Sequence, residues 1–118
     1  MYQFPDEIRK AYESMTVPLV VYQFENEKVI PLLVSEGFCL LTGLNHEKAL
    51  EMIGTSQYNL IHPDDAGKVA KVSDDFAHHR SDYDLLIRCR HQNGYHLIHA
   101  IGYWQTMPNG TELAFLTY

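Results

Sequence analysis

Seven histidines, two cysteines and two adjacent aspartate pairs are the residues of this 118-residue chain from which chemistry could be built. The pair Asp64-Asp65 follows His62-Pro63. Proline has a fixed φ and no N–H to lose, so it suits the first position of a helix. Carboxylates are favoured in the first turn by the helix dipole. The four residues therefore spell a helix start capped by His62, rather than two carboxylates paired for acid–base work. Asp74-Asp75 lie off the apolar face of that helix and are solvated. His78, His79 and Arg80 close it, and basic groups belong in a last turn. His91, His96 and His99 flank a turn, with His91 and His96 placed to meet across a hairpin. Zinc needs a third ligand and usually a fourth, which argues against a metal site here. Cys39 and Cys89 sit in apolar settings at a spacing that fits no zinc motif, and they read as buried free thiols. The sequence contains no glycine-rich phosphate loop and no Gly-x-Ser-x-Gly.

These residues are carried by a regular series of elements. Residues 5–15 form a short amphipathic helix with Ile8, Ala11, Tyr12 and Met15 on one stripe. That stripe needs a surface, either this chain's own sheet or a second copy. Residues 19–24 and 29–34 are strands joined by a polar turn, and Pro31 places the second at a sheet edge. A short helical turn follows and stops at Thr42-Gly43. Asn45 caps the next helix, which Gly54 is expected to end. The helix that Pro63 opens runs about four to five turns, with Ala66, Val69, Ala70, Ser73, Phe76 and Ala77 on its inner face. Small residues plus one Phe let a sheet approach closely or leave room for something. From Tyr83 the period becomes two, with Tyr83, Leu85, Ile87 and Cys89 on one face. Gln92-Asn93-Gly94 reads as a hairpin turn, since Asn-Gly readily supplies positive φ. The strand from Tyr95 to Thr106 is apolar on both sides, which predicts cover on both sides. Met107-Pro108-Asn109-Gly110 turns into a last strand from Glu112. Strands separated by a helical block predict an α+β domain with one antiparallel sheet.

Composition narrows the function classes. The hydrophobic fraction of 46% and charged fraction of 20% are ordinary for one globular domain. A net charge of −6 argues against nucleic acid or an anionic membrane as partner. No apolar run reaches the roughly 20 residues of a membrane span. Asp6, Glu7, Arg9 and Lys10 interrupt any signal-peptide pattern, and the expected location is the cytoplasm.

Three motifs resemble the PAS domain family of sensor modules. Leu60-Ile61-His62-Pro63-Asp64-Asp65 is similar to the family's loop-to-helix signature and is the most specific. Phe38-Cys39-Leu40-Leu41-Thr42-Gly43-Leu44 resembles the segment ending in Thr-Gly, and Arg88-Cys89-Arg90-His91-Gln92-Asn93-Gly94 the strand and turn ending in Asn-Gly. One departure is Ser35-Glu36-Gly37, where many members carry an Asn that bonds across the sheet. The resemblance covers residues 17–118, with residues 1–16 as an N-terminal flanking helix. It implies a five-stranded sheet in the order 2-1-5-4-3, helices on one face, and a homodimer through the N-terminal helix. It also implies a sensor cut from a longer bacterial signalling protein. The output domain would follow Tyr118, a cyclic-dinucleotide enzyme or a histidine kinase by family habit. A histidine of the long helix ligates haem in some relatives, but no distal donors are evident. Flavin light sensors need an Asn-Cys-Arg that neither cysteine provides, so no cofactor is assigned. What remains is regulation without catalysis: a small-ligand sensor, or a dimerisation scaffold with a filled core. A small cupped enzyme with a His or Asp base is the third reading. The candidate ligand residues are Phe76 on the helix, Tyr83, Ile87 and His99 on the strands, and Tyr58 as a gate. His99 stands out, because a histidine buried among apolar strand residues needs a partner.

Overall fold

The computed structural model describes residues 1–91 and 94–118, with the side chains of residues 55–58 outside that description. Helix α1 (Asp6–Glu13) precedes strands β1 (Leu19–Glu25) and β2 (Lys28–Val34). Helices α2 (Glu36–Thr42), α3 (His46–Ser56) and α4 (Pro63–His79) follow, with a 3-10 turn at Gln57–Leu60. Strands β3 (Tyr83–His91), β4 (Gly94–Thr106) and β5 (Glu112–Thr117) complete the chain. The strands form one antiparallel sheet in the order β2-β1-β5-β4-β3. This is the order and the α+β class that the resemblance implies.

Local chemistry fixes each element. Pro31 lies in the edge strand, where its missing N–H costs the ladder least, and the register slips between Val21 and Tyr22 opposite it. The β1–β2 turn holds Asn26 and Glu27 at φ of 52° and 65°. His62 caps α4, its Nδ1 accepting from Asp64 N at 3.0 Å, and Asn45 Oδ1 accepts from Lys48 N at 2.8 Å. Helix α3 does not stop at Gly54 but continues to Ser56. Gly54 lies over Pro31 of β2, so packing on the sheet carries the helix past a residue of poor propensity. Residues 92 and 93 of the expected Asn-Gly turn lie outside the described residues, while His91 pairs with Gly94 at the hairpin's end.

Ser35 organises the junction between β2 and α2. It is wholly buried. Its Oγ donates to Val17 O at 2.6 Å and accepts from Leu19 N at 2.9 Å and Phe38 N at 3.2 Å. A serine therefore bridges neighbouring segments at the position where the resemblance expects an asparagine. Gly37 follows because only glycine fits: a Cβ there would stand 2.1 Å from Thr16 O.

The sheet divides two cores. On one face Val20, Tyr22, Val34, Leu85, Ile87 and Leu116 pack against α2, α3 and α4. On the other, Val21, Leu33, Leu113 and Phe115 pack under the N-terminal segment. Phe4 is buried there, and Tyr12 lies 5.6 Å from the Phe115 ring. Arg9 Nη2 donates to Leu32 O at 3.0 Å. The stripe of α1 thus meets its own sheet through Tyr12, while Ile8, Ala11 and Met15 stay exposed.

The second face of β4 is open, contrary to the expectation of cover on both sides. Its inner residue Ala100 is fully buried, but Leu97 is 68% exposed, Tyr103 48% and Ile101 40%. Helix α1 covers the β2-β1-β5 side of that face and is too short to reach across β4 and β3.

Candidate functional site: a cavity between the helices and the sheet

Between α2, α3, α4 and the inner face of the sheet lies a cavity of about 520 Å³. The inner face of α4 forms one wall with Val69, Ala70, Ser73, Phe76 and Ala77. The small side chains of Ala70, Ser73 and Ala77 leave the space unfilled beside Phe76. Tyr22 and Phe24 of β1, Tyr83, Ile87 and Cys89 of β3, and Leu116 of β5 form the sheet wall. Phe38, Leu41 and Thr42 of α2 and Ile53 of α3 close the far side.

The start of α4 is locked to β3. Asp65 is buried and accepts three hydrogen bonds from Arg88: Oδ2 from the backbone N at 2.8 Å and from Nε at 3.0 Å, and Oδ1 from Nη2 at 2.8 Å. The hydrogen bonds from Arg88 hold the Asp65 carboxyl well below the usual carboxylate range. The backbone N–H of His62 adds a bond to Arg88 O at 2.8 Å, and Ile61 bridges to Cys89. Both carboxylate oxygens of Asp65 are thus committed to a structural clamp.

The mouth of the cavity lies between the β1–β2 turn and the last turns of α4. His78 spans it, with Nε2 2.9 Å from Glu27 and Nδ1 3.0 Å from Asp74. The hydrogen bond to Glu27, reinforced by Asp74, holds the His78 imidazole above its ordinary value. Beside the mouth, Phe76 stacks on Trp104 with centroids 5.1 Å apart, and Trp104 Nε1 donates to Phe76 O at 3.2 Å. Arg80 lies over the indole ring, its Cζ 3.6 Å from the centroid, and pairs with Glu112.

Three tyrosines converge inside the cavity. Tyr22, Tyr83 and Tyr118 all line it, and Tyr118 shares a hydrogen bond with Tyr22. Burial pushes the Tyr118 phenol well above the usual tyrosine range, and the neighbouring Tyr22 and Tyr83 add to the shift. Burial also raises both thiols, that of Cys89 to about 11. Both cysteines are free.

Three of the residues singled out in the sequence, Phe76, Tyr83 and Ile87, come together on the cavity wall. Tyr58's side chain lies outside the described residues. His99 does not join them. It sits on the outer face of β4, its side chain 53% exposed, with Nε2 2.5 Å from Asp84 Oδ1. Its neighbour in sequence, Ala100, takes the inward position, since side chains alternate along a strand. The His91 and His96 rings do meet across the hairpin, 4.7 Å apart, and no cluster able to hold a metal occurs among the described residues. Sequence reasoning missed Tyr22, Tyr118 and the Asp65–Arg88 clamp. Strand β1 is apolar on both faces, so alternation gave no signal for Tyr22. None was available for the clamp, because Asp65 looks like any first-turn acid.

Fold and sequence pattern together define the class: the chain belongs to the PAS fold family, whose pattern matches residues 31–117. Among solved structures it is similar to the PAS domain of a protein from Colwellia psychrerythraea, with 17% identity and a TM-score of 0.67 over 96% of this chain and 93% of that one. It is similar to a sensory box histidine kinase/response regulator from Burkholderia thailandensis, with 20% identity and a TM-score of 0.59 over 96% and 82%. It also resembles the LOV domain of a blue-light activated histidine kinase from Erythrobacter litoralis, with 12% identity and a TM-score of 0.61 over 88% and 95%. At these identities the likeness is one of fold. No curated protein matches the chain. Among the described residues, no helix is long and apolar enough to cross a membrane.

Proposed function

We propose that this chain is a sensory module without catalytic activity, which binds a small molecule in the cavity and passes a change of packing to other parts of a signalling protein. The observation that carries this reading is the cavity itself. About 520 Å³ lies within the range of small-molecule sites. Its walls are mostly apolar, with a few hydroxyls gathered at one place. A ligand shifts such a module only as far as it binds one arrangement better than another. The readout is a homodimer in which Ile8 and Ala11 of α1, with Met15 just beyond its end, meet a second copy, together with an output domain following Tyr118. By the analogy with the sensory box kinases, that output is a histidine kinase; a cyclic-dinucleotide enzyme is the other family habit. The cytoplasm is the compartment in which such a module works.

A second reading, a dimerisation scaffold with no ligand, is favoured by one observation: the exposed remainder of the α1 stripe. Thermal shift against a metabolite panel separates the two. A ligand at a hundred times its Kd adds about 2.7 kcal/mol. With an unfolding entropy of roughly 2.1 cal/mol/K for each residue, that raises the Tm by about 10 °C. The shift disappears in Ala70→Phe, which extends a ring from α4 into the cavity. Shifts that persist in that variant, or a panel and native mass spectrum with no ligand at all, would leave the scaffold.

A further inference from the structure

The cavity's charges say which molecules it admits, on the premise that it is a ligand site. Among the described residues lining it there is no Lys or Arg. Positions 55–58, whose side chains lie outside the description, are Thr, Ser, Gln and Tyr in sequence, none of them cationic. The basic group at its edge is His78, already held between Glu27 at 2.9 Å and Asp74 at 3.0 Å. Glu25, Asn26 and the exposed Val29 line the same edge. An anion would therefore cross a carboxylate rim to reach a space without a countercharge. Burying an unpaired anion in apolar surroundings is heavily unfavourable.

Besides the hydroxyls of Ser73 and of Thr42, which donates to Phe38 O at 2.9 Å, the polar groups inside are phenols. Burial holds Tyr118 neutral, and a neutral hydroxyl both donates and accepts. Flat apolar walls from Phe24, Phe38 and Phe76 suit a ring. We infer that the cavity is selective for a neutral, largely apolar, ring-bearing molecule whose carbonyl or ring nitrogen meets the Tyr22–Tyr118 pair, and that it rejects carboxylates and phosphate-bearing nucleotide cofactors.

Two dyes of nearly the same shape test this. N-phenyl-1-naphthylamine is neutral, and 8-anilinonaphthalene-1-sulfonate adds one negative charge to the same two ring systems. Fluorescence titration of the full chain is expected to show one site for the neutral dye and binding of the sulfonate at least ten-fold weaker. Ala70→Phe abolishes the neutral site while circular dichroism shows an intact fold. Ser73→Lys, which brings an ammonium to the wall of α4, narrows the gap to less than three-fold. Equal affinities for the two dyes, both lost in Ala70→Phe, would overturn the charge selectivity and leave the cavity a ligand site. Binding of the neutral dye that survives Ala70→Phe, or no binding of either dye, would overturn the ligand-site reading and this inference with it.

Discussion

Replacing Ser35 by alanine is the sharpest test of how β2, α2 and the start of β1 are joined. The hydroxyl is wholly buried and engages three backbone groups at 2.6, 2.9 and 3.2 Å. Alanine fits the space, so the change removes hydrogen bonds and little else. Loss of the cap on Phe38 N–H costs about 1 kcal/mol. The buried N–H of Leu19 then lacks its acceptor, which costs about 2 kcal/mol more. A total near 3 kcal/mol, over an unfolding entropy of about 0.25 kcal/mol/K for 118 residues, lowers the Tm by about 12 °C. Thermal and urea unfolding followed by circular dichroism give both quantities, with the m-value expected to stay unchanged. Ser81→Ala is the control, since Ser81 is exposed. A loss for Ser35→Ala no greater than that of the control would refute the claim that this hydroxyl holds the junction.

Two further outcomes follow from the site's electrostatics. The Asp65 carboxyl is held below its ordinary value of about 3.9, so its contribution is present above that pH and is lost as the pH falls through the folded value. Urea midpoints measured from pH 5 to pH 2.5 are expected to fall more steeply for the native chain than for Asp65→Asn, and parallel curves would count against the clamp. Cys89, pushed up to about 11 and 9% exposed, is expected to react with a thiol reagent at pH 8 at least about a hundred-fold more slowly than in the urea-unfolded chain. Comparable rates would mean that the cavity wall at Cys89 opens readily.

Much of the fold was legible because its signals are local. Pro63 with Asp64 wrote the start of α4, Pro31 wrote an edge strand, and the change of period at Tyr83 wrote β3. The site was legible only where one element's pattern decided the matter. Phe76 lay on the apolar stripe of α4, and Tyr83 and Ile87 on the alternating face of β3, and all three reach the cavity. For β4 both faces are apolar, so alternation does not say which face turns inward, and His99 lies on the outer face and not among the cavity residues. Leu97, Ile101 and Tyr103 are exposed against the expectation of cover, since the sequence does not say how far α1 reaches. The Asp65–Arg88 clamp and the grouping of Tyr22 with Tyr118 depend on long-range register, which no spacing within one element encodes.

Two interior strands, β1 and β5, contribute alternate residues to opposite cores: Val20 and Tyr22 above, Val21 below, Leu116 above, Phe115 below. Side chains on such a strand share one backbone, so the middle of the sheet is a common wall between the core that holds the cavity and the core under α1. Tyr22 faces the cavity and its neighbour Val21 faces the underside, where Tyr12 of α1 rests against Phe115. On the function proposed above, a ligand in the cavity and a second copy on α1 would press on that one layer from opposite sides.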